Sequence, residues 1–246
     1  MKSKWKIILL SLLVLLTAGL IAFTTRKKSI DDQILAYTVD TKTQDIQLYW
    51  KNDKGEILNS IQNLKTYVQS KNRRLTFAMN GGMYLRDFSP QGLFIQNKKT
   101  LAKIDTANGS GNFYLKPNGV FYITTDNIPF VCKTTDFKDN GSVKFASQSG
   151  PMLVIDGQIH DSFKNGSTNM NIRNGVGILP NNNVIFAMSM TEINFYDFAK
   201  YFQSLGCSNA LYLNGFVSRT YLPEKNWVQI DGNFGVIIGV TEKLNK

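Results

Sequence analysis

Asn80-Gly81-Gly82 closes an apolar run, LTFAMNGGMY (75–84), and three later segments repeat the arrangement. They are SQSGPMLVIDG (147–157), IRNGVGILPNNNVIFAMS (172–189) and NALYLNGFVSRTYLP (209–223). In each, residues that read as a strand meet Asn, Ser or Arg beside Gly. A side chain at a strand end is held by the sheet yet faces a loop, and glycine lets main-chain N–H groups approach a ligand. Four such ends point to one shared site.

The chemistry those residues suit is the recognition of anions and sugars. Arg173 opens an apolar strand next to Asn174, Gly175 and Gly177. A guanidinium there can grip a phosphate or carboxylate through two parallel hydrogen bonds; a surface salt bridge is the plainer reading. Glu192 stands between a strand and a helix start, where a carboxylate serves equally as acid or base or as a partner for the helix dipole. Asp87, in MYLRDFSP, has the same ambiguity. The single histidine, His160, cannot build a multi-histidine metal site, and its setting in GQIHDSF reads more readily as a loop surface than as a proton shuttle. There is no GxSxG, HExxH or GxxxxGK motif. No cofactor is expected, although Asn, Asp and main-chain carbonyls leave Ca²⁺ or another divalent metal open; no EF-hand spacing appears.

The elements that must position these residues are mostly strands. ILAYTVD (34–40) and QDIQLYW read as a strand pair, and further strands are predicted near 75–79, 92–96, 112–116, 119–124, 128–133, 143–147, 152–155, 175–179, 183–189, 210–214 and 234–240. An amphipathic helix is predicted over about 57–71, with Ile57, Ile61, Leu64 and Val68 on one face. A second spans about 195–205, with Asn194 and Asp197 as a capping-box variant and Gly206 as its stop. KPNGVFYI (116–123) is the clearest hairpin signal among many Asn-Gly pairs. There is no regular βαβ alternation. The fold class is α+β: a single domain dominated by mixed or antiparallel β-sheet, with about two helices and an apolar N-terminal helix.

That N-terminal helix is expected from residues 7–23, an uncharged apolar run preceded by three lysines. Residues 1–28 read as a signal peptide or an N-terminal membrane anchor, and residues 29–246 as the exported body. The net charge of +10 shrinks once this segment is set aside. Lys2, Lys4, Lys6, Arg26, Lys27 and Lys28 supply six of those charges, so the body carries only +4. That excludes the dense basic patch a nucleic-acid binder needs, but suits phosphate or acidic glycan. Cys132 and Cys207 are equally consistent with a disulfide and with two separate buried thiols.

NGGMY, QSGPMLVIDG, IRNGVGI and ALYLNGFVS, in this order and spacing, resemble the phosphodiester glycosidase family, which includes the uncovering enzyme. The resemblance covers roughly 75–240 and implies hydrolysis of a sugar-1-phosphodiester, with glycan or phosphoglycan as the substrate. It implies a site of Asn80, Gly81, Gly82, Ser149, Gly150, Arg173, Asn214, Gly215 and Ser218. One departure stands out. The family's last motif commonly reads Leu-Asp-Gly-Gly followed by a serine, whereas this chain has Leu213-Asn214-Gly215-Phe216 and then Ser218. Asn cannot ionise, so Asn214 can position a hydroxyl but cannot be a general base. Glu192 or Asp87 would then serve, or the protein is a non-catalytic cell-envelope module that binds phosphorylated or acidic glycan.

Overall fold

Short runs rich in β-branched and aromatic residues, bounded by Gly, Asn and Pro, fold into three antiparallel sheets. The computed structural model describes residues 29–215 and 217–244. The predicted N-terminal apolar helix and Phe216 lie outside the described residues. The described residues from Ile34 onward form one compact unit.

The first sheet has the order β1 (Ile34–Val39), β12 (Val184–Ser189), β11 (Asn174–Ile178), β13 (Ala210–Tyr212), β9 (Met152–Ile155) and β10 (Gln158–Ile159). The second runs β15 (Trp227–Val228), β14 (Thr220–Leu222), β3 (Arg73–Asn80), β16 (Ile237–Lys243) and β2 (Asp45–Tyr49). The third runs β5 (Lys99–Ala102), β4 (Phe94–Gln96), β8 (Val143–Ser149), β6 (Gly119–Thr124) and β7 (Pro129–Lys133). Their apolar faces share one core. Phe186 of the first sheet stacks on Phe77 of the second at 5.4 Å and meets Phe121 of the third edge-on at 5.8 Å. Each such ring pair is worth about 0.5–1.5 kcal/mol beyond the area it buries.

Helix α1 (Ile61–Ser70) begins where the Ser60 hydroxyl accepts the Asn63 N–H, and it buries Ile61, Leu64 and Val68 in a cluster with Leu75, Ala78 and Ile237 of the second sheet. Helix α2 (Phe195–Ser204) is capped by Asn194, whose Oδ1 accepts the Asp197 N–H, and it ends at Gly206 with φ of 78°. Its buried face carries Phe195, Phe198, Ala199, Tyr201 and Phe202.

Four details differ from expectation. β1 and β2 do not pair with each other: β1 joins β12 and β2 joins β16, in different sheets that close over the same core. Residues 112–114 form a 3-10 turn rather than a strand, so there is no hairpin at 116–123. Asn118, expected in its turn, is buried and donates to the Phe113 carbonyl at 3.0 Å. Ile57 lies before α1, in a bridge to Lys51. Gly175 and Gly177 serve packing. A Cβ on Gly175 would sit 2.8 Å from the Leu211 carbonyl oxygen, and one on Gly177 would sit 2.8 Å from the Phe202 ring.

Candidate functional site

Asn80 ends β3 of the second sheet and Asn174 begins β11 of the first; both are 0% exposed. Asn174 Nδ2 donates to the main-chain oxygen of Asn80 at 2.9 Å and to its Oδ1 at 3.0 Å. Asn174 Oδ1 accepts the Asn214 N–H at 2.8 Å, and Asn80 Oδ1 also accepts the Arg219 N–H at 3.0 Å. Every contact fixes which end of each amide is oxygen. The third sheet joins through two serines of β8. Ser147 Oγ donates to the Gly81 carbonyl at 3.0 Å, and Ser149 Oγ donates to the Leu213 carbonyl at 2.6 Å. Side-chain hydrogen bonds therefore tie all three sheets together at one junction. Strand ends leave main-chain groups without ladder partners, and buried ones must find another.

The glycines allow this approach. A Cβ on Gly82 would lie 2.5 Å from Ser147 Oγ, one on Gly150 2.6 Å from Asn118 Cβ, and one on Gly215 1.7 Å from the Tyr212 hydroxyl. Ser218 closes the last loop, its Oγ donating to the Asn214 carbonyl at 2.7 Å and its N–H to the Gly215 carbonyl at 2.9 Å. Several donors stay open. Asn80 Nδ2 is buried without a partner. Among the described residues the N–H groups of Gly82 and Gly150 and the Asn214 side chain also have none.

Arg173 lies one residue from the junction and is 1% exposed. Its Nε donates to the Ile193 carbonyl at 2.8 Å and its Nη2 to the Asn169 carbonyl at 2.8 Å. The guanidinium stacks 3.6 Å above the Phe195 ring. Burial pulls its pKa down and the Tyr212 hydroxyl opposes the shift, but a guanidinium stays charged at any working pH. Among the described residues it has no ion-pair partner. Beyond Phe195 the stack continues to Phe163 at 4.8 Å and to His160, also at 4.8 Å.

The structure thus brings together Asn80, Gly81, Gly82, Ser149, Gly150, Asn214, Gly215 and Ser218, while Arg173, next to Asn174 in the chain, turns its guanidinium to Asn169, Ile193 and Phe195. It does not bring in Asp87 or Glu192. Asp87 is exposed and accepts from the N–H and hydroxyl of Ser89 within its own turn, contacts that hold its carboxyl below the ordinary range. Glu192 is exposed and bonds to no described residue. Asp231 pairs with Arg219 Nε at 2.9 Å, and it is the main-chain N–H of Arg219 that donates to Asn80 Oδ1 at 3.0 Å. Sequence reasoning missed the Arg219–Asp231 pair, Ser147 and the bridging role of Asn174. The Arg-Asn-Gly and Ser-x-Ser patterns at these strand ends were the available signals for the last two; nothing local marks Asp231. His160 is buried, not a surface residue: its Nδ1 accepts the Ser162 N–H at 3.1 Å and its Nε2 meets the Lys116 carbonyl at 3.1 Å. Cys132 and Cys207 are both free. Among the described residues no three His, Cys, Asp or Glu side chains converge as a metal site, and no helix is long and apolar enough to cross a membrane.

Known proteins are similar to this chain in sequence or in fold. The chain is 37% identical over 190 residues to the uncharacterized protein YigE of Escherichia coli K12, covering 77% of this chain and 74% of the relative. In fold it is similar to the catalytic domain of zebrafish N-acetylglucosamine-1-phosphodiester alpha-N-acetylglucosaminidase, crystallised auto-inhibited by its pro-peptide, with a TM-score of 0.53 and 14% identity over 85% of this chain and 88% of that one. A candidate exported protein of Burkholderia pseudomallei gives a TM-score of 0.53 at 9% identity over 84% and 73%. The phosphodiester glycosidase profile matches residues 73–239, a span that holds every strand end of the junction, and the chain belongs to the phosphodiester glycosidase family.

Proposed function

We propose that the protein is an exported hydrolase that cleaves a sugar-1-phosphodiester at the three-sheet junction. The observation that carries this reading is a buried guanidinium without a carboxylate, one residue along the chain from a junction that keeps unpartnered donors. A buried cation left uncompensated by the protein favours an anionic ligand nearby. The Asn80 Nδ2 and the N–H groups of Gly82 and Gly150 supply the short-range donors that a phosphate leaving group or a sugar carbonyl requires. Asn214 positions a sugar hydroxyl through its open amide. A phosphate monoester leaves readily, so one carboxylate suffices to handle the proton of the attacking water. We assign that task to Asp231, in preference to Asp87 or Glu192, because it is the carboxylate linked to the junction, through Arg219 and Asn80. Arg173 contributes through its forked contacts, which hold the 169 and 193 loops, and through a buried positive charge that attracts the phosphate.

The test is turnover of a chromogenic N-acetylglucosamine-1-phosphodiester by the full chain, with and without EDTA. Turnover is expected, and Arg173→Lys should lower it at least tenfold in a protein that still melts cooperatively. A single ammonium cannot reproduce the fork or the stack. Substrate bound without turnover would instead support a non-catalytic glycan-binding module, the reading favoured by Asn214 standing where the family commonly has Asp.

A further inference from the structure

A cleft of about 900 Å³ opens at the start of β3, the end remote from the junction. The strand has eight residues, so the two ends stand roughly 20 Å apart, and no junction side chain lines the cleft. A volume of this order encloses a ligand the size of a few sugar rings.

The cleft is built rather than incidental. Its floor contains a bulge, where the β3–β16 register slips between Val240 and Thr241. Bulges re-aim side chains. Here the Thr241 hydroxyl is 2.7 Å from Arg73 Nε, whose N–H it accepts, and 3.3 Å from Asp45 Oδ2, to which it donates. Arg73 closes the triangle by pairing with Asp45 at 2.5 Å. One wall is Tyr37, from the first sheet. Its ring stacks on Phe77 at 4.6 Å and its hydroxyl accepts from Gln44 Nε2 at 2.8 Å, so both ring and hydroxyl are fixed in place.

The charges lining the cleft cancel. Arg73, Arg74 and Lys243 oppose Asp45, Glu224 and Glu242, and Arg74 pairs directly with Glu242. No net field selects an anion or a cation. What the cleft offers is a locked aromatic ring beside planar hydrogen-bonding side chains that hold one another in position. A sugar ring matches that surface, with apolar C–H faces for the aromatic and a rim of hydroxyls for the polar groups. We propose that this cleft binds a neutral oligosaccharide, as a second carbohydrate site separate from the junction. The proposal does not depend on whether the junction hydrolyses its ligand.

The experiment is calorimetric titration of the full chain with chitotetraose. Saturable binding is expected. Tyr37→Ser, which removes the ring, and Thr43→Trp, which fills the cleft from an exposed turn, should each weaken it at least tenfold. Asn214→Ala, which removes a junction side chain that bonds to no described residue, should leave it unchanged. The absence of binding by the unaltered chain would overturn the proposal. So would equal affinity in a folded Thr43→Trp protein, or loss of binding on Asn214→Ala in a protein that melts as the unaltered one does.

Discussion

Asn174 Nδ2 donates to both the main-chain and the side-chain oxygen of Asn80, at 2.9 and 3.0 Å. One amide therefore fastens the first sheet to the second, and its oxygen holds the Asn214 N–H as well. Removing it strands an oxygen and an N–H in a buried place. Each unsatisfied buried group costs about 1–3 kcal/mol, so Asn174→Ala should destabilise the fold by about 3 kcal/mol. Urea unfolding reads this as a lower midpoint at unchanged slope. A shift no larger than that of a surface substitution would mean that the bridge contributes nothing.

Gly82→Ala should be destabilising for a reason that a second substitution can isolate. Its Cβ would meet Ser147 Oγ at 2.5 Å, forcing the hydroxyl off the Gly81 carbonyl. Overpacking of this kind costs about 1–3 kcal/mol. In a Ser147→Ala background the clash is gone and the extra cost of Gly82→Ala should largely vanish. Additive effects in the four-protein cycle would show that the two residues do not interact.

The legible part of this fold was the part written in local patterns. The helix cap Asn194 carries its own signal, and so do the strand ends at Asn80, Ser149 and Asn214. What was not legible came from pairing between distant strands. β1 and β2 lie a short turn apart and read as partners, yet each takes its ladder partner from far along the chain, β12 and β16, in different sheets. Lys116-Pro117-Asn118-Gly119 has the composition of a hairpin turn. Its Asn side chain is instead used inside the protein, on the Phe113 carbonyl. Asp231 lies twelve residues past Arg219, and only the folded chain places its carboxylate against that guanidinium. Gly175 and Gly177 look like ligand loops in sequence, but aromatic rings of α2 occupy the space beside Gly177.

His160 gives the fold a definite pH dependence. Burial lowers its pKa below the ordinary 6.5, against the raising influence of the Lys116 carbonyl and Asp161. Its Nδ1 must stay unprotonated to accept the Ser162 N–H. The unfolded chain therefore binds a proton more readily than the folded one between the two pKa values, so stability rises with pH through that window. Stability should fall as pH drops below about 6.5, and the loss should continue to the lowered folded pKa. His160→Gln should flatten this part of the curve. An unchanged pH profile in His160→Gln would assign the dependence to other groups.

The two thiols should be inert in the native protein. Burial pushes the Cys132 pKa up to about 11, with Asp136 adding to the shift, and burial pushes Cys207 up to about 12. Little thiolate exists at neutral pH, and the thiolate is the reactive species. Native protein should label slowly with a thiol reagent at pH 7.5, and both residues should label at once in guanidinium. A protein in which neither thiol reacts after unfolding, until a reductant is added, would contain the disulfide that the structure does not.

Asn214→Asp separates the two functional readings without disturbing the fold. The junction uses the main chain of residue 214, its N–H on Asn174 and its carbonyl on Ser218, and leaves the side-chain amide open. An isosteric carboxylate should therefore change the melting temperature little. Its charge, however, would stand beside a substrate that is itself a phosphodiester anion. Like charges at such range disfavour binding, and the penalty shrinks as the new carboxyl becomes protonated. In a working hydrolase the substitution should raise KM several-fold at pH 8 and less at pH 5, with kcat reduced or unchanged. A rise in kcat would point the other way. The carboxylate would then be restoring a base that the natural chain lacks, and the unaltered protein would be a glycan binder built on a hydrolase fold.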